Sequence, residues 1–401
     1  RYPPAPTGRR RWIVEAHFDS MPRTSTTTTL AVAALLFTAS CGSDATDDGT
    51  SADASSAAGL AVSADAPFPA ERCAANEMAG TITYLTGFDF AAASSIIDVI
   101  VADANGYFDE LCLDVEIRPS FSSANYGLIA TGTAQFASGG SFSEAVAFAA
   151  ANDGDVVVLS VEGRSPIDTL IVKAGEALEL DDLAGTTIGV KGKLPTSIDV
   201  MLRSAGLVEG DDFDTVLLDG FDPLAHLEID SIVGLPGWKS NEVGAVERAG
   251  VAVQLFDPET RGVPGSFGVI VSDPDFVEQH PTAAEDFMRA TMRGLAEAIN
   301  DPARAAEIAV ETLEASGNPN FLSPEGEAFR WQTEAQLILS ATPEGVGLAT
   351  PDLAGLQREL DTYAEVGLFG DGVRPSAEDH LDGDLVANLY ADGVLIWPTT
   401  P

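Results

Sequence analysis

Residues 133–144 read Thr133-Ala-Gln-Phe-Ala-Ser-Gly-Gly-Ser-Phe-Ser-Glu144. The run Thr133–Ala137 has strand character and empties into Ser138-Gly139-Gly140. Ser141 with Glu144 three residues later is a capping box, which marks a helix start. Strand, glycine turn and helix form the repeating unit of an α/β sheet, and the unit recurs on both sides. Upstream, Thr81-Ile-Thr-Tyr-Leu85 is a strand, and Ser94–Asp103 is a helix with Ile96, Ile97, Ile100 and Val101 on one face. Leu113-Asp-Val-Glu-Ile117 alternates as the next strand, and Val156-Val-Val-Leu159 is a buried one. A second series follows Arg164-Ser165-Pro166, with strands at 170–172, 187–190, 216–218, 231–233 and 251–255. Its first helix opens at Leu194-Pro195 and closes near Gly206. Val269–Val271 is a return strand, and Thr282-Ala-Ala-Glu285 is a second capping box that opens a long helix. Helical pattern continues to about Gly367. The order predicts an α/β protein of two mostly parallel sheets wrapped by helices. The acidic tail beyond Gly370 ends in Gly393-Val-Leu-Ile-Trp397, with no period that places it.

Charge narrows the function. Asp plus Glu number 62 against 21 Lys plus Arg, a formal net charge of −41. A nucleic-acid binder needs a basic face to displace counterions, and docking on anionic lipid needs a polybasic patch, so neither class fits. Four His and three Cys leave little material for a multi-ligand metal site, and no metal or cofactor is expected.

The beginning of the chain reads as an address. Met21, Arg23 and a Thr-rich stretch precede the apolar run Leu30–Phe37 and the small residues Thr38-Ala39-Ser40. This is the layout of an export signal over 21–40, too short to span a bilayer. Cys41-Gly42 after small residues is similar to a bacterial lipobox, in which the Cys carries the lipid. Cleavage by an ordinary signal peptidase near Ala39 is the alternative, and Thr38 stands where an aliphatic residue is usual. Residues 1–20 read as upstream translation. Residues 41–70, built from Ser, Ala, Asp, Thr and Gly, have little to bury and read as a disordered tether. Cys73 and Cys112 are then left either as a disulfide outside the cell or as two buried thiols.

Several segments together resemble a known family. Asn105-Gly106-Tyr107-Phe108, Gly132-Thr133-Ala134-Gln135-Phe136, Leu180-Asp-Asp-Leu183-Ala-Gly185-Thr-Thr-Ile188-Gly189-Val190 and Phe287–Pro302 are similar, in order and spacing, to the nitrate, sulfonate, taurine and thiamine-pyrimidine-precursor binding proteins. These are solute-binding components of ABC importers. The resemblance spans roughly 80–370 and implies a two-lobed periplasmic-binding-protein fold of type II, with the ligand in a cleft between lobes. It divides the chain into 71–163 as the first part of lobe 1, 164–262 as lobe 2, 263–370 as the return to lobe 1 with C-terminal helices, and 371–401 as a tail. Hinges fall near 161–168 and 256–268. The partners it implies are a small-molecule ligand and a membrane permease with its ATPase. It implies no nucleic acid and a monomer.

In such sheets ligands lie beyond the carboxyl ends of strands. That rule selects Phe88 and Asp89 after the first strand, Ser122 and Asn125 after the second, and Ser138, Gly139, Gly140 and Ser141 after the third. Gly-Gly-Ser entering a helix offers backbone N–H groups to an anion or carbonyl, although Ser141 also serves as the cap. Lysine occurs only at 173, 191, 193 and 239. Lys191 and Lys193 follow the 187–190 strand, where local positive charge suits an anionic group against an acidic background; exposed lysines in polar loops are the plain alternative. Arg164 lies at the hinge and Thr196 at a helix start. Trp238 and Asn241-Glu242 resemble the thiamine-precursor and flavin-binding side of the family, although Val243 replaces the usual Pro. Trp238, with Phe88, Phe121, Tyr126 and Phe221, offers stacking surface to a planar ring, and some of these rings suit a core equally. Three readings follow: capture of a planar heterocycle, capture of an organic sulfonate, taurine, nitrate or carboxylate, and a synthase-like enzyme. His226, His280 and His380 have no Ser or Cys partner at a catalytic spacing, and no Cys-rich run exists, so no catalytic residue is assigned.

Overall fold

The computed structural model describes residues 60–152, 154–220, 222–316 and 323–399. The segment expected to direct export, Cys41 and Phe221 lie outside the described residues. Among the described residues, ten of the twelve strands run in chain order as β1 (Thr81–Leu85), β2 (Asp114–Arg118), β3 (Phe136–Gly139), β4 (Val157–Gly163), β5 (Asp168–Lys173), β6 (Thr187–Val190), β7 (Asp214–Leu217), β8 (Gly234–Trp238), β9 (Val253–Phe256) and β10 (Phe267–Ser272). They form two five-stranded sheets, ordered β2-β1-β3-β10-β4 and β7-β6-β8-β5-β9. In each sheet the first three strands are parallel and the last two pairings antiparallel. The antiparallel strands have a common cause. β5 is the first strand after the chain leaves the first sheet, and β10 is the first after it returns. The crossings at 164–167 and 257–266 meet: a Cβ on Gly265 would lie 2.6 Å from the Pro166 ring, and the second crossing includes the 3-10 turn Glu259–Arg261.

One expected strand is displaced. Residues 231–233 form a turn, and the strand is Gly234-Leu-Pro-Gly-Trp238. Ile232 is buried from the turn, which imitates a strand signal. The glycine is required next to it, because a Cβ on Gly234 would lie 2.1 Å from the Ile171 carbonyl oxygen of β5. The second capping box also does not form. The helix Pro281–Asn300 starts at its proline with no side-chain cap, and Glu285 instead pairs with Arg289 and Arg72.

Around the first sheet the core is aromatic. Phe287 stacks on Phe136 with ring centroids 4.1 Å apart and on Phe108 at 5.2 Å. Both ends of the described residues are packed onto this lobe. Cys73 is bonded to Cys112. Asp286, fully buried, accepts bonds from Arg72, Asn76 and Arg289. Arg72 also donates to the Leu60 carbonyl at 2.8 Å, and Arg289 to that of Ile396 at 2.9 Å. Pro67 bridges to Thr399. Residues 60–70, expected to belong to a tether, are thus held against the folded unit through Leu60 and Pro67. The tail, unplaced by its sequence, forms a hairpin of Tyr390–Ala391 and Val394–Leu395, and Arg293 lies 4.2 Å over the Trp397 ring.

Candidate functional site

The loops that follow β1, β2, β3, β6 and β8 meet between the two sheets and enclose a cavity of about 270 Å³. Phe88, Phe121, Ile96 and Trp238 give it apolar walls, and Ser94, Ser122, Ser138 and Gly140 give it polar points. Phe88 and Phe121 meet edge to face at 5.9 Å, a geometry that holds both rings at the mouth of the first lobe. Gly87 is dictated by packing: a Cβ there would lie 2.4 Å from Ser138 Oγ, so a side chain would displace the hydroxyl.

The charges facing this chamber are paired. Lys191 Nζ lies 2.7 Å from Glu242 Oε1, and Glu242 Oε2 accepts the Trp238 amide at 2.9 Å. Burial pushes the Glu242 carboxyl up, but the Lys191 ammonium and these hydrogen bonds outweigh it and hold the group below its ordinary pKa. The pair thereby fixes the backbone that carries Trp238. Arg330 donates to Glu327 at 2.5 and 2.7 Å and to Asn241 Oδ1 at 2.8 Å. Glu334, on the same helix Pro324–Ala341, accepts the Ser94 amide at 2.6 Å and the Ser240 hydroxyl at 2.7 Å. One helix therefore grips the β1 side of the cleft and the β8 side together.

A second cavity of about 240 Å³ adjoins the first, and the two share Ser122, Ser123, Gly140, Lys191 and Trp238 as lining. Here Ser141, Glu144, Asp168, Lys193, Thr196 and Ser266 share the walls with Pro166, Ile167, Leu194 and Pro195. Burial, with the nearby Glu144 charge, pushes Asp168 up to about 7, against hydrogen bonds from Ser197 and Trp238. Burial also raises Glu144, opposed by Lys193.

Of the expected site residues, Phe88, Ser122, Ser138, Gly139, Gly140, Lys191, Trp238, Asn241 and Glu242 line the first chamber. Ser141, Lys193 and Thr196 line the second. Three lie elsewhere. Asn125 is buried, with its amide spent on the Thr86 and Ser138 carbonyls at 3.0 and 2.8 Å. Asp89 is buried beside the chamber and accepts the Phe90 amide. Arg164 faces a small hinge groove and donates to the Thr350 carbonyl at 3.0 Å. The glycine loop is also less open than its sequence suggests. The Gly140 amide donates to Tyr126 Oη at 3.1 Å, and the Phe142, Ser143 and Glu144 amides go to Ser266, Glu359 and Ser141. Lys239 is engaged by Asp257 and Glu259 at 3.0 and 2.9 Å. Sequence reasoning missed Ser94, Ile96 and Arg330. Ser94 and Ile96 open the first apolar helix, and the signal for Arg330 was the polar row Glu327, Arg330, Glu334 beside buried Trp331 and Ile338. No cluster of three or more His, Cys, Asp or Glu suited to a metal occurs among the described residues.

Two sheets joined by paired crossings, with a ligand-sized cleft between them, define a two-lobed periplasmic-binding-protein fold. The chain belongs to the NMT1/THI5-like family, whose model matches residues 93–305, more than half of it. It is 28% identical over 237 residues to the formylaminopyrimidine-binding protein of Halalkalibacterium halodurans, which covers 57% of this chain and 70% of that protein. It is 26% identical over 159 residues to the riboflavin-binding protein RibY of Chloroflexus aurantiacus, 39% of this chain and 44% of the relative. Among solved structures, the alkanesulfonate-binding protein SsuA from Xanthomonas axonopodis pv. citri, bound to MOPS, superposes with a TM-score of 0.53 at 14% identity, covering 75% of this chain and 97% of that one. That likeness is one of fold.

Proposed function

We propose that this chain is the extracytoplasmic solute-binding lipoprotein of an ABC importer, closing its two lobes on a small planar heterocycle of the thiamine-pyrimidine-precursor or flavin type and handing it to the permease. The observation that carries this reading is the chamber of Phe88, Phe121, Ile96 and Trp238, in which the neighbouring charges are already paired within the protein. A flat ring can stack there and take hydrogen bonds from Ser94, Ser138 and Asn241 without having to neutralise a charge. An organic sulfonate or nitrate instead asks for cations and amides available to it. Lys191 is held by Glu242 and the Gly140 amide by Tyr126, which weighs against that second reading. Both curated relatives named above are binding proteins by name, which supports transport over turnover.

The test is a thermal-shift panel on the full chain with formylaminopyrimidine, thiamine, riboflavin, taurine, longer sulfonates and nitrate. A ligand at 100 times its Kd raises stability by about 2.7 kcal/mol. A shift with a heterocycle, lost in Trp238→Ala by a factor of roughly 30 or more in Kd, is the expected result. Shifts with sulfonates or nitrate alone would replace the heterocycle with the anion. For the anchor, Cys41→Ser is expected to move the chain from the membrane fraction to the soluble one in its bacterial host. Retention at the membrane would discard lipidation at Cys41.

A further inference from the structure

Ser95 holds a conformation that a residue with a Cβ does not favour. Its φ is +53°, in the left-handed region, and the residue is fully buried. Glycine would make this turn without that cost, so what serine adds is its hydroxyl. Every polar group of Ser95 is engaged. Its amide donates to Glu162 Oε1 at 2.6 Å, and its carbonyl accepts from Tyr84 Oη. Its Oγ lies 2.7 Å from the Ser94 carbonyl and 2.7 Å from Ser138 Oγ. Backbone strain held in place by bonds on all sides points to a task nearby. The neighbour with a task is Ser138, which is buried and lines the first chamber.

Counting hydrogens shows what Ser95 does to it. A hydroxyl has one hydrogen to give. The Ser94 carbonyl can only accept, so it takes the Ser95 hydrogen, and the hydrogen between the two hydroxyls belongs to Ser138. Tyr84 is a second side-chain partner of Ser138, and its own hydrogen is on the Ser95 carbonyl. Whether the Ser138 hydrogen lies on Ser95 or on Tyr84, it points into the protein, and the chamber meets lone pairs. Asn241, another lining residue, is set in the opposite sense. Its Oδ1 accepts from Arg330 at 2.8 Å, which leaves its NH2 as the donor of that side chain.

We propose that Ser95 and Tyr84 are positioning residues that fix Ser138 as a hydrogen-bond acceptor, so that the first chamber selects a ligand presenting a donor at that point and disfavours one presenting only acceptors there. The proposal rests on the heterocycle reading above and deepens it by giving the Ser138 bond a direction. A nitrate or sulfonate, with acceptors alone, meets the same lone pairs.

The experiment is calorimetric titration of the full chain at pH 8 with two uncharged rings equal in shape, 4-amino-2-methylpyrimidine and 2,4-dimethylpyrimidine. Only the first carries a donor, and it is expected to bind more tightly by roughly fivefold, the equivalent of one hydrogen bond. Ser138→Ala is expected to remove that lead by weakening the amino ring. Ser95→Gly combined with Tyr84→Phe takes away both inner acceptors and lets the Ser138 hydrogen turn to the chamber. It is expected to remove the lead by the opposite route, tightening the dimethyl ring roughly fivefold through a ring nitrogen. Ser95→Gly alone, which keeps the turn and relieves its backbone, serves as a second variant should the pair fold poorly, with a smaller tightening of the same ring. Damage to the fold weakens both rings alike, so only a released hydroxyl gives this gain. Equal affinities in the unaltered chain, or a dimethyl ring that neither variant tightens, overturn the proposal and leave the heterocycle reading standing. Failure of both rings and of every heterocycle in the thermal-shift panel overturns both.

Discussion

Asp286→Ala is expected to destabilise the full chain by about 3–5 kcal/mol, the usual consequence of removing one partner from a buried ion pair. The carboxylate is fully buried and its two oxygens accept four bonds: Arg72 Nε at 2.5 Å, Asn76 Nδ2 at 2.8 Å, and Arg72 Nη2 and Arg289 Nε at 3.0 Å. Both arginines are themselves buried, 4% and 2% exposed. Removing the carboxylate leaves them with Glu285, which is partly exposed and placed at the edge of the cluster. The same arginines hold the Leu60 and Ile396 carbonyls, so the variant is also expected to lose its grip on both ends of the described chain and to be trimmed there by protease. Asp286→Asn, which keeps the shape and loses the charge, should fall between the two. None of these residues lines either chamber, so ligand affinity of the folded variant should not change. The measurement is the urea midpoint at constant slope. A loss below about 1 kcal/mol would mean the cluster is ornamental and that the disulfide and aromatic core hold this corner.

What was legible in the sequence depended on how local its cause was. The β-branched runs at 156–159 and 187–190 announce strands wherever they are placed, and Ser141 caps its helix as its spacing requires, accepting the Glu144 amide at 3.2 Å. The fold then names the cleft loops, which is why Phe88, Ser138, Lys191, Trp238 and Glu242 could be chosen in advance. The β8 strand was hidden because its glycines answer to distant backbone: Gly234 is set by Ile171, far away in sequence and adjacent in space. Arg330 was hidden for the same reason, since it reaches the cleft from a helix whose position is decided by packing of Trp331 beneath the first lobe. The pairing of Lys191 with Glu242 was invisible too. Each looked like a ligand-binding charge alone, and only the 2.7 Å contact makes them a scaffold for Trp238.

The second large effect is a stability profile that falls as pH rises. Burial raises seven carboxyl groups: Asp98, Asp103, Glu144, Glu162, Asp168, Glu334 and Glu359. Asp98 and Asp168 are each pushed to about 7. Asp98 and Glu162 lie together beneath Ser95, and burial combined with their mutual repulsion favours a shared proton. The sign follows from proton counting. An unfolded carboxyl releases its proton near pH 4, while these native groups still hold theirs. Between about pH 4 and 7 the native state thus binds more protons, and stability decreases with every step upward. Glu242, lowered by Lys191, acts in the other direction, but its contribution is lost only on acidification below its ordinary range. His380, lowered by burial, gains stability with rising pH in the same window, one group against seven. The net charge of −41 adds to the fall, since each further ionisation works against existing repulsion. Melting temperature is therefore expected to drop by roughly 5 °C or more from pH 5.5 to 8, and Asp98→Asn, neutral throughout, should flatten the profile and raise stability at pH 8. High salt tests the repulsive part separately, because screening reaches exposed charges and not the buried pair. A melting temperature that is level or rises over this range would sink the assignment of retained protons to the buried carboxyls, and with it the shared proton beneath the cleft floor.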